Sequence, residues 1–151
     1  MTAPHVAPRL GAASLEAAGA FVQAAGLVIG EATASGVSGH VDLGPDHHTP
    51  WGIVHGGVYA TAIESAASVG ASLAVRGAGQ VAVGLTNTTH FLRSLTSGRA
   101  RVEAVALYQG RTQQLWQVNI TDQAGRLIAH GEVRLQNVTA EPAQGNGETH
   151  E

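Results

Sequence analysis

The longest regular pattern of apolar positions in the chain lies between residues 56 and 75, GGVYATAIESAASVGASLAV. This segment has good helix formers and no proline, and its pattern predicts one long, largely apolar helix that other elements must cover. The apolar side chains at helical spacing are Val58, Ala62, Ile63, Ala66, Val69 and Leu73. Near the middle lies a single acidic residue, Glu64, with no basic residue three or four positions away.

Segments with a period of two follow this helix, at residues 80–92, 99–108, 112–121 and 127–136. Short, turn-rich links separate them, so the pattern predicts four consecutive antiparallel strands. The first segment begins with alternating Val81, Val83 and Leu85 and has a polar middle, TNTTH. In the last segment we predict that one face is formed by Leu127, Ala129, Gly131, Val133 and Leu135.

Before the long helix, residues 27–43 are rich in Val, Ile and Thr and are predicted to form one strand that bends at its glycines. Residues 14–25 are predicted to form a short amphipathic helix capped by Ser14. The whole pattern predicts an α+β fold, a curved antiparallel sheet of five to six strands wrapped around one long central helix. One helix cannot cover both faces of such a sheet, so we expect an oligomer formed through the sheet or its edge.

The expected domain covers residues 14–137, with a mobile N-terminal arm at 1–13 and a disordered polar tail at 138–151. The chain has 151 residues, which is enough for one well-buried domain. It contains no cysteine, which excludes disulfides, thiolate metal sites and a cysteine nucleophile. A net charge of −3 argues against a nucleic-acid partner, and without a signal or membrane-spanning pattern we expect a cytoplasmic protein with no membrane partner.

The turn before the long helix carries His55, Gly56 and Gly57. The first N–H groups of a helix have no partner within it, so this turn is suited to bind an oxyanion. The alternative is that the glycines serve only the turn. Glu64 also allows two readings, an exposed surface carboxylate or a base of raised pKa in apolar surroundings.

Gly56 and Glu64 lie about 12 Å apart along one helix at 1.5 Å per residue. One helix therefore cannot bring both groups to the same small electrophile. If both act on one carbonyl, they come from two subunits.

The remaining polar residues point less clearly to a function. His47, His48 and His55 with Glu64 lack the spacing of known zinc sites, so we predict no metal. His90 and His130 are expected to be ordinary strand residues. The arginines of the second half, Arg93, Arg99, Arg101 and Arg111, form either a solvated rim or contacts with the phosphates of a nucleotide-bearing ligand.

The segment WGIVHGGVYATAIESAAS resembles the hotdog-fold acyl-CoA thioesterases of the phenylacetate-degradation type. It is most similar to the 4-hydroxybenzoyl-CoA thioesterase branch, in which the active carboxylate is a Glu of the central helix. The resemblance covers roughly residues 25–137 and includes VAVGLTNTTHFLR and WQVNITDQAGRLIAHGEVRL. It implies the hotdog fold, a homodimer as the minimal active unit and, in many members, a homotetramer.

The resemblance also implies a role for each matching residue. The Gly56 N–H polarises the thioester carbonyl, and Glu64 of the neighbouring subunit attacks it or activates water. Ser68 assists the carboxylate and His55 orders the turn, whereas Arg93, Arg111 and Thr112 border the nucleotide end of coenzyme A. Arg111 replaces a small hydroxyl residue, and Thr49 replaces the Asn or Gln that usually places the carbonyl or the water.

We therefore expect a hydrolase of an aryl or medium-chain acyl-CoA, with no cofactor because coenzyme A belongs to the substrate. The alternative is an acyl-CoA binding module without catalysis, which would not need Glu64. A hotdog dehydratase fits less well because its catalytic His and acid have a different spacing. Pocket-lining side chains are expected from Trp51, Tyr59, Leu85 and Phe91.

Overall fold

The computed structural model describes residues 18–140, and the predicted N-terminal arm and the first residues of the predicted helix 14–25 lie outside them. Two α-helices are described, α1 (Ala20–Ala25) and α2 (Gly56–Val75). The six strands are β1 (Leu27–Ala32), β2 (Gly36–Leu43), β3 (Gln80–Phe91), β4 (Gly98–Gln109), β5 (Gln113–Thr121) and β6 (Leu127–Thr139). The strand β6 runs past residue 137, so the boundary predicted for the C-terminal tail is two residues early.

All six strands form one antiparallel sheet in the order β1-β2-β4-β5-β6-β3. The helix α2 contacts every strand, and its small side chains Ala62, Ala66 and Ala67 are completely buried against the sheet. The predicted sheet around one central helix is confirmed. The strands β1 and β3 are the two edges, and β3 presents its free edge beside α2.

The prediction of one bent strand over residues 27–43 is wrong, because a hairpin divides this segment into β1 and β2. The Thr33 hydroxyl accepts hydrogen bonds from the backbone N–H groups of Ser35 and Gly36 and donates one to the Gly36 carbonyl. A threonine that bonds its own backbone in this way forms a turn in place of a continuing strand.

Two irregularities change which side chains face α2. In β6 the register shifts near its first residues, so Ile128 is buried and Leu127 is 40% exposed, the reverse of the prediction. In β3, Val83 and Leu85 are exposed on the outside, whereas Ala82 packs against the core and Gly84 lies next to Glu64.

The 23-residue helical segment Gly56–Ala78 is long and apolar enough to cross a membrane, with a mean hydropathy of 1.3. Its contacts with all six strands identify it as the core helix of the sheet. Trp116 sets how closely the sheet approaches α2, because its ring lies against Gly70, where a Cβ would clash with the ring.

Candidate active site

A cleft of about 390 Å³ opens at the N-terminal end of α2. It lies between the turn that enters the helix and the end of β3. The residues that line it are Thr49, Ile53, Val54, His55, Gly56, Gly57, Tyr59, Phe91, Leu92, Arg93 and Ser94. Tyr59 and Phe91 thus line the cleft as predicted, whereas the predicted lining residues Trp51 and Leu85 do not.

Backbone hydrogen bonds hold the turn that enters α2. The N–H of His55 donates to the His47 carbonyl at 2.8 Å, and the N–H of Thr49 donates to the Ile53 carbonyl at 2.7 Å. Gly52 has φ +77°, which side-chain-bearing residues rarely adopt, and closes the tip of the turn. The turn is therefore fixed before any ligand binds.

His55 is the N-cap of α2. Its Nδ1 accepts a hydrogen bond from the Gly57 N–H at 2.8 Å, so a neutral His55 ring carries its proton on Nε2. Gly57 is needed for this contact, because a Cβ at position 57 would lie 2.8 Å from Nδ1. The geometry agrees with the role that the family resemblance implies for His55, ordering the turn.

Gly56 is the first residue of α2, and its N–H has no hydrogen-bond partner within residues 18–140. The N-terminal end of the helix dipole lies behind this group, which favours an oxyanion or a polarised carbonyl in front of it. The ring of Phe91 packs on the α-carbon side of Gly56, where a Cβ would meet it at 2.8 Å. The missing side chain at position 56 therefore makes room for Phe91.

Tyr59 is buried in the wall of the cleft and was not predicted to have an unusual hydroxyl. That hydroxyl is fully buried, with no hydrogen-bond partner in the described part of the chain. Burial raises its pKa above the usual 10.0. The ring centroid lies 6.4 Å from that of Phe91, so the two aromatic side chains form one wall.

Glu64 lies eight residues after Gly56 in α2, over the edge strand β3. Its carboxylate oxygen lies 2.9 Å from the point where a Cβ of Gly84 would be. The side chain is exposed, and it has neither a hydrogen bond nor an ion pair with any of residues 18–140. Of the two readings that the sequence allows for Glu64, the exposed carboxylate is the one seen among residues 18–140, where nothing lies beyond β3 to cover it.

The two hydroxyl residues of the predicted site differ in their contacts. Ser68, one turn after Glu64, is half-buried, and its hydroxyl makes no hydrogen bond within the described residues. The Thr49 hydroxyl accepts a hydrogen bond from the Trp51 N–H at 3.3 Å while the residue lines the cleft. Thr49 thus helps to form the turn that holds Gly56 in place.

The predicted contacts with coenzyme A lie at opposite ends of the sheet. Arg93 follows β3 and lines the cleft. Arg111 and Thr112 lie in the turn between β4 and β5, where their carbonyls accept hydrogen bonds from Asn137. One chain does not bring these two groups together.

The other arginines and the histidines have structural contacts. Arg99 pairs with Asp42 through two bonds of 2.7 and 3.0 Å, and Arg101 pairs with Glu103.

The histidines also make hydrogen bonds. His47 bonds the Ala24 carbonyl and His48 the Thr96 carbonyl, so both tie the entering loop to its surroundings. In β6, His130 bonds Asn119 and stacks on His90. No group of three or more possible metal ligands occurs among residues 18–140.

The sequence and the fold were compared with known proteins. Residues 52–129 match the family model described as the thioesterase superfamily. The chain belongs to this superfamily. Membership confirms the predicted class of enzyme, a thioester hydrolase, and the match contains both the turn at Gly56 and the residue Glu64.

Two individual proteins are similar to this chain over most of its length. A Mycobacterium tuberculosis protein, Rv1847, provisionally named as an esterase, is 44% identical over 119 residues, covering 78% of this chain and 85% of that protein. Its solved structure has a TM-score of 0.77 at 43% identity and covers 81% of this chain and 98% of that one. The structure of AziG from S. sahachiroi has a TM-score of 0.76 at 36% identity, with 80% and 98% covered.

A third relative carries a substrate in its name. The 1,4-dihydroxy-2-naphthoyl-CoA hydrolase of Escherichia coli is 38% identical over 78 residues, which cover 52% of this chain and 57% of that protein. The family model and the solved structures show the hotdog fold of this thioesterase.

Proposed function

We propose that this thioesterase hydrolyses the thioester of an aryl or medium-chain acyl-CoA to the free acid and coenzyme A. The observation that carries the proposal is the free Gly56 N–H at the start of α2, fixed in a cleft by the His55 cap. A thioester carbonyl placed against this N–H is polarised, and negative charge that develops on its oxygen is stabilised.

The second part of the proposed site is Glu64, which must come from another chain. In one chain the two groups lie about 12 Å apart along α2 at 1.5 Å per residue, which is too far for one carbonyl. Glu64 lies over the edge strand at Gly84, whereas Gly56 packs against Phe91 at the other end of that strand. These positions on β3 are separated by roughly 23 Å at 3.3 Å per residue.

A two-fold dimer through the free edge of β3 would remove this separation. In one register of antiparallel pairing between two copies of β3, residue 84 of one copy lies beside residue 91 of the other, and this is the register that we propose. The Glu64 carboxylate of one chain then faces the Gly56 turn of its partner. The exposed Val83 and Leu85 on the same strand, 44% and 46% exposed, give this edge an apolar surface to bury.

In the proposed reaction Glu64 either attacks the acyl carbon or removes a proton from a water molecule that attacks it. The C–S bond breaks, coenzyme A leaves as the thiol, and the oxygen of water ends in the carboxylic acid. Ser68 follows Glu64 by one turn, and its hydroxyl makes no hydrogen bond among residues 18–140, so we propose that it assists the carboxylate.

The same pairing gives coenzyme A its contacts. It brings the turn with Arg111 and Thr112 of one chain towards Arg93 of the other, because these groups lie near opposite ends of β3. Neither arginine has an ion-pair partner among residues 18–140, so both guanidinium groups are available for phosphates. Two such dimers would form the tetramer that the resemblance implies.

An aryl acyl group fits the proposal best. The cleft wall is formed by Tyr59 and Phe91, and aromatic rings stack favourably on such walls. The name of the E. coli relative, an aromatic acyl-CoA hydrolase, supports the same choice. We therefore propose that this enzyme belongs to the branch of the superfamily that acts on substrates like 4-hydroxybenzoyl-CoA or phenylacetyl-CoA.

The experiment is a thiol-release assay with short, long, branched and aromatic acyl-CoAs. The chain has no cysteine, so a colorimetric thiol reagent meets no thiol in the protein itself. We expect fastest release from an aromatic acyl-CoA. Tight binding of the same thioesters without release would contradict hydrolysis and favour the acyl-CoA binding module, an alternative supported by the use of the Thr49 hydroxyl in the turn.

A further inference from the structure

The strand β3 contains a bulge directly beneath α2. Its pairing with β6 skips one residue, since Gly84 pairs with Leu135 and Thr86 with Arg134. Leu85 is the extra residue, and it is 46% exposed. Because the bulge changes the alternation, Gly84 before it and Asn87 after it both face the helix.

Asn87 fixes the distance between this strand and the helix. Its Nδ2 donates to the Ala60 carbonyl at 3.0 Å, and its Oδ1 accepts from the Thr89 hydroxyl at 2.7 Å. Ala60 lies one helical turn before Glu64. The backbone of β3 is therefore held close to α2 at the level where the Glu64 side chain leaves the helix.

Gly84 is the residue on which the Glu64 carboxylate rests. A Cβ at position 84 would lie 2.9 Å from the Oε1 atom and 3.6 Å from the Cδ atom of Glu64. No other residue appears among the close neighbours of that position. With any side chain at position 84, the carboxylate would have to move.

The other edge of the sheet provides a comparison. Gly30 in β1 also belongs to a register shift, where it is itself the residue skipped between Ile29 and Glu31. A Cβ at Gly30 would meet only the Ser38 carbonyl, at 3.5 Å, which is an ordinary contact. A bulge in an edge strand therefore does not by itself require the free space found at Gly84.

We propose that Gly84 is a positioning residue for Glu64, whose carboxylate occupies the space left by the missing side chain and is held over the free edge of β3. This inference rests on the proposed function, in which Glu64 is the acting carboxylate. Gly84 touches no reacting atom of the substrate, so its effect passes through Glu64.

The variant Gly84→Ala tests the proposal in the full-length enzyme. Displacing a catalytic group by about 1 Å costs up to ~100-fold in rate, so we expect kcat to fall between ~10-fold and ~100-fold. KM should change less than kcat, because the turn at Gly56, which holds the thioester carbonyl, is not altered. The matched control Gly30→Ala should keep the wild-type kcat.

A stability cycle separates this role from a purely structural one. Gly84→Ala reduces the conformational freedom of the unfolded chain, so it should raise Tm by less in the wild type, where the Glu64 carboxylate must be displaced, than in the Glu64→Ala background, where no carboxylate remains. An equal change of Tm in both backgrounds, or a wild-type kcat for Gly84→Ala, would overturn the proposal. The cycle needs no turnover, so full activity of Glu64→Ala would refute the proposed function while the cycle still reports the contact.

Discussion

The two parts of the proposed site, the turn at the start of α2 and Glu64, differ in how much of each is formed by a single chain. At the start of α2 the turn is bonded on both sides, His55 caps the helix and a cleft is already formed. In the middle of α2, Glu64 is exposed, lies over Gly84 and has no ion pair or hydrogen bond within residues 18–140. The turn at the start of α2 is therefore already formed within one chain. Glu64, in contrast, lies over the edge strand β3 and needs a second chain opposite it to form a site.

Removing the carboxylate of Glu64 should have the largest effect on turnover. We expect Glu64→Ala to lower kcat by at least ~100-fold, on the order of 3 kcal/mol of transition-state stabilisation, because Glu64 is the acting carboxylate of the proposed site. Folding should be unaffected, since the side chain makes no hydrogen bond. Steady-state kinetics and thermal unfolding check both statements.

The control for this variant is Glu132→Ala, which removes an exposed carboxylate from β6. It should keep the wild-type kcat. Turnover by Glu64→Ala near the wild-type rate would rule out the proposed mechanism.

Substitutions in the turn at the start of α2 should change the stability of the protein as well as its rate of turnover. His55→Ala removes the cap of α2 and should lower the free energy of unfolding by about 1 kcal/mol, with a parallel loss of turnover. His55→Asn supplies another side chain that caps helices well and should recover most of the stability. Denaturant unfolding measures both variants, and equal losses for Ala and Asn would show that the cap is not what His55 contributes.

A change at Tyr59 should alter stability by a similar amount but with the opposite sign. Tyr59→Phe removes a buried, unpartnered hydroxyl and should raise the free energy of unfolding by about 1 kcal/mol. Tyr108→Phe, at a residue that is 62% exposed, is the control and should change nothing. A loss of stability in Tyr59→Phe would show that the hydroxyl has a partner, such as a buried water molecule.

The same pair of variants predicts a dependence on pH. Because burial raises the pKa of Tyr59 above 10.0, the unfolded chain releases this proton first as the pH rises. Wild-type stability should therefore be complete below pH 10 and fall above it. In Tyr59→Phe this part of the fall should be absent.

The sequence predicts the parts of the fold that depend on strict periodicity. Trp116, Val118 and Ile120 alternate without interruption in β5, and all three are buried. The turn at Gly56 is also readable, because capping and glycine spacing are local features. The prediction fails where local hydrogen bonds or bulges change the pattern, as with the Thr33 turn and the first residues of β6.

The contact between Glu64 and Gly84 could not be predicted in the same way. It joins residues on different elements, and the bulge at Leu85 decides which residues of β3 face the helix. The alternation of Val83 and Leu85 in the sequence gives no sign of this bulge, and both side chains are exposed on the outside. The Tyr59 hydroxyl and the Asn87 bond to α2 were missed for the same reason, because both depend on tertiary packing.

The most direct test of the two-chain site is complementation between two inactive variants. Gly56→Pro removes the N–H at the first helical position, where proline is tolerated, and the extended backbone of His55 suits a following proline. The exposed Phe91 ring must turn aside to admit it. Glu64→Ala provides the second variant, and size-exclusion chromatography checks that each keeps the native assembly.

The two variants are mixed under conditions of subunit exchange, and thioester hydrolysis is measured. In a hybrid dimer one site combines an intact Gly56 turn with an intact Glu64. Random exchange makes half of the dimers hybrids with one working site of two, so about a quarter of the wild-type activity should return. If the mixture stays as inactive as its components although hybrids form, Gly56 and Glu64 do not act across two chains.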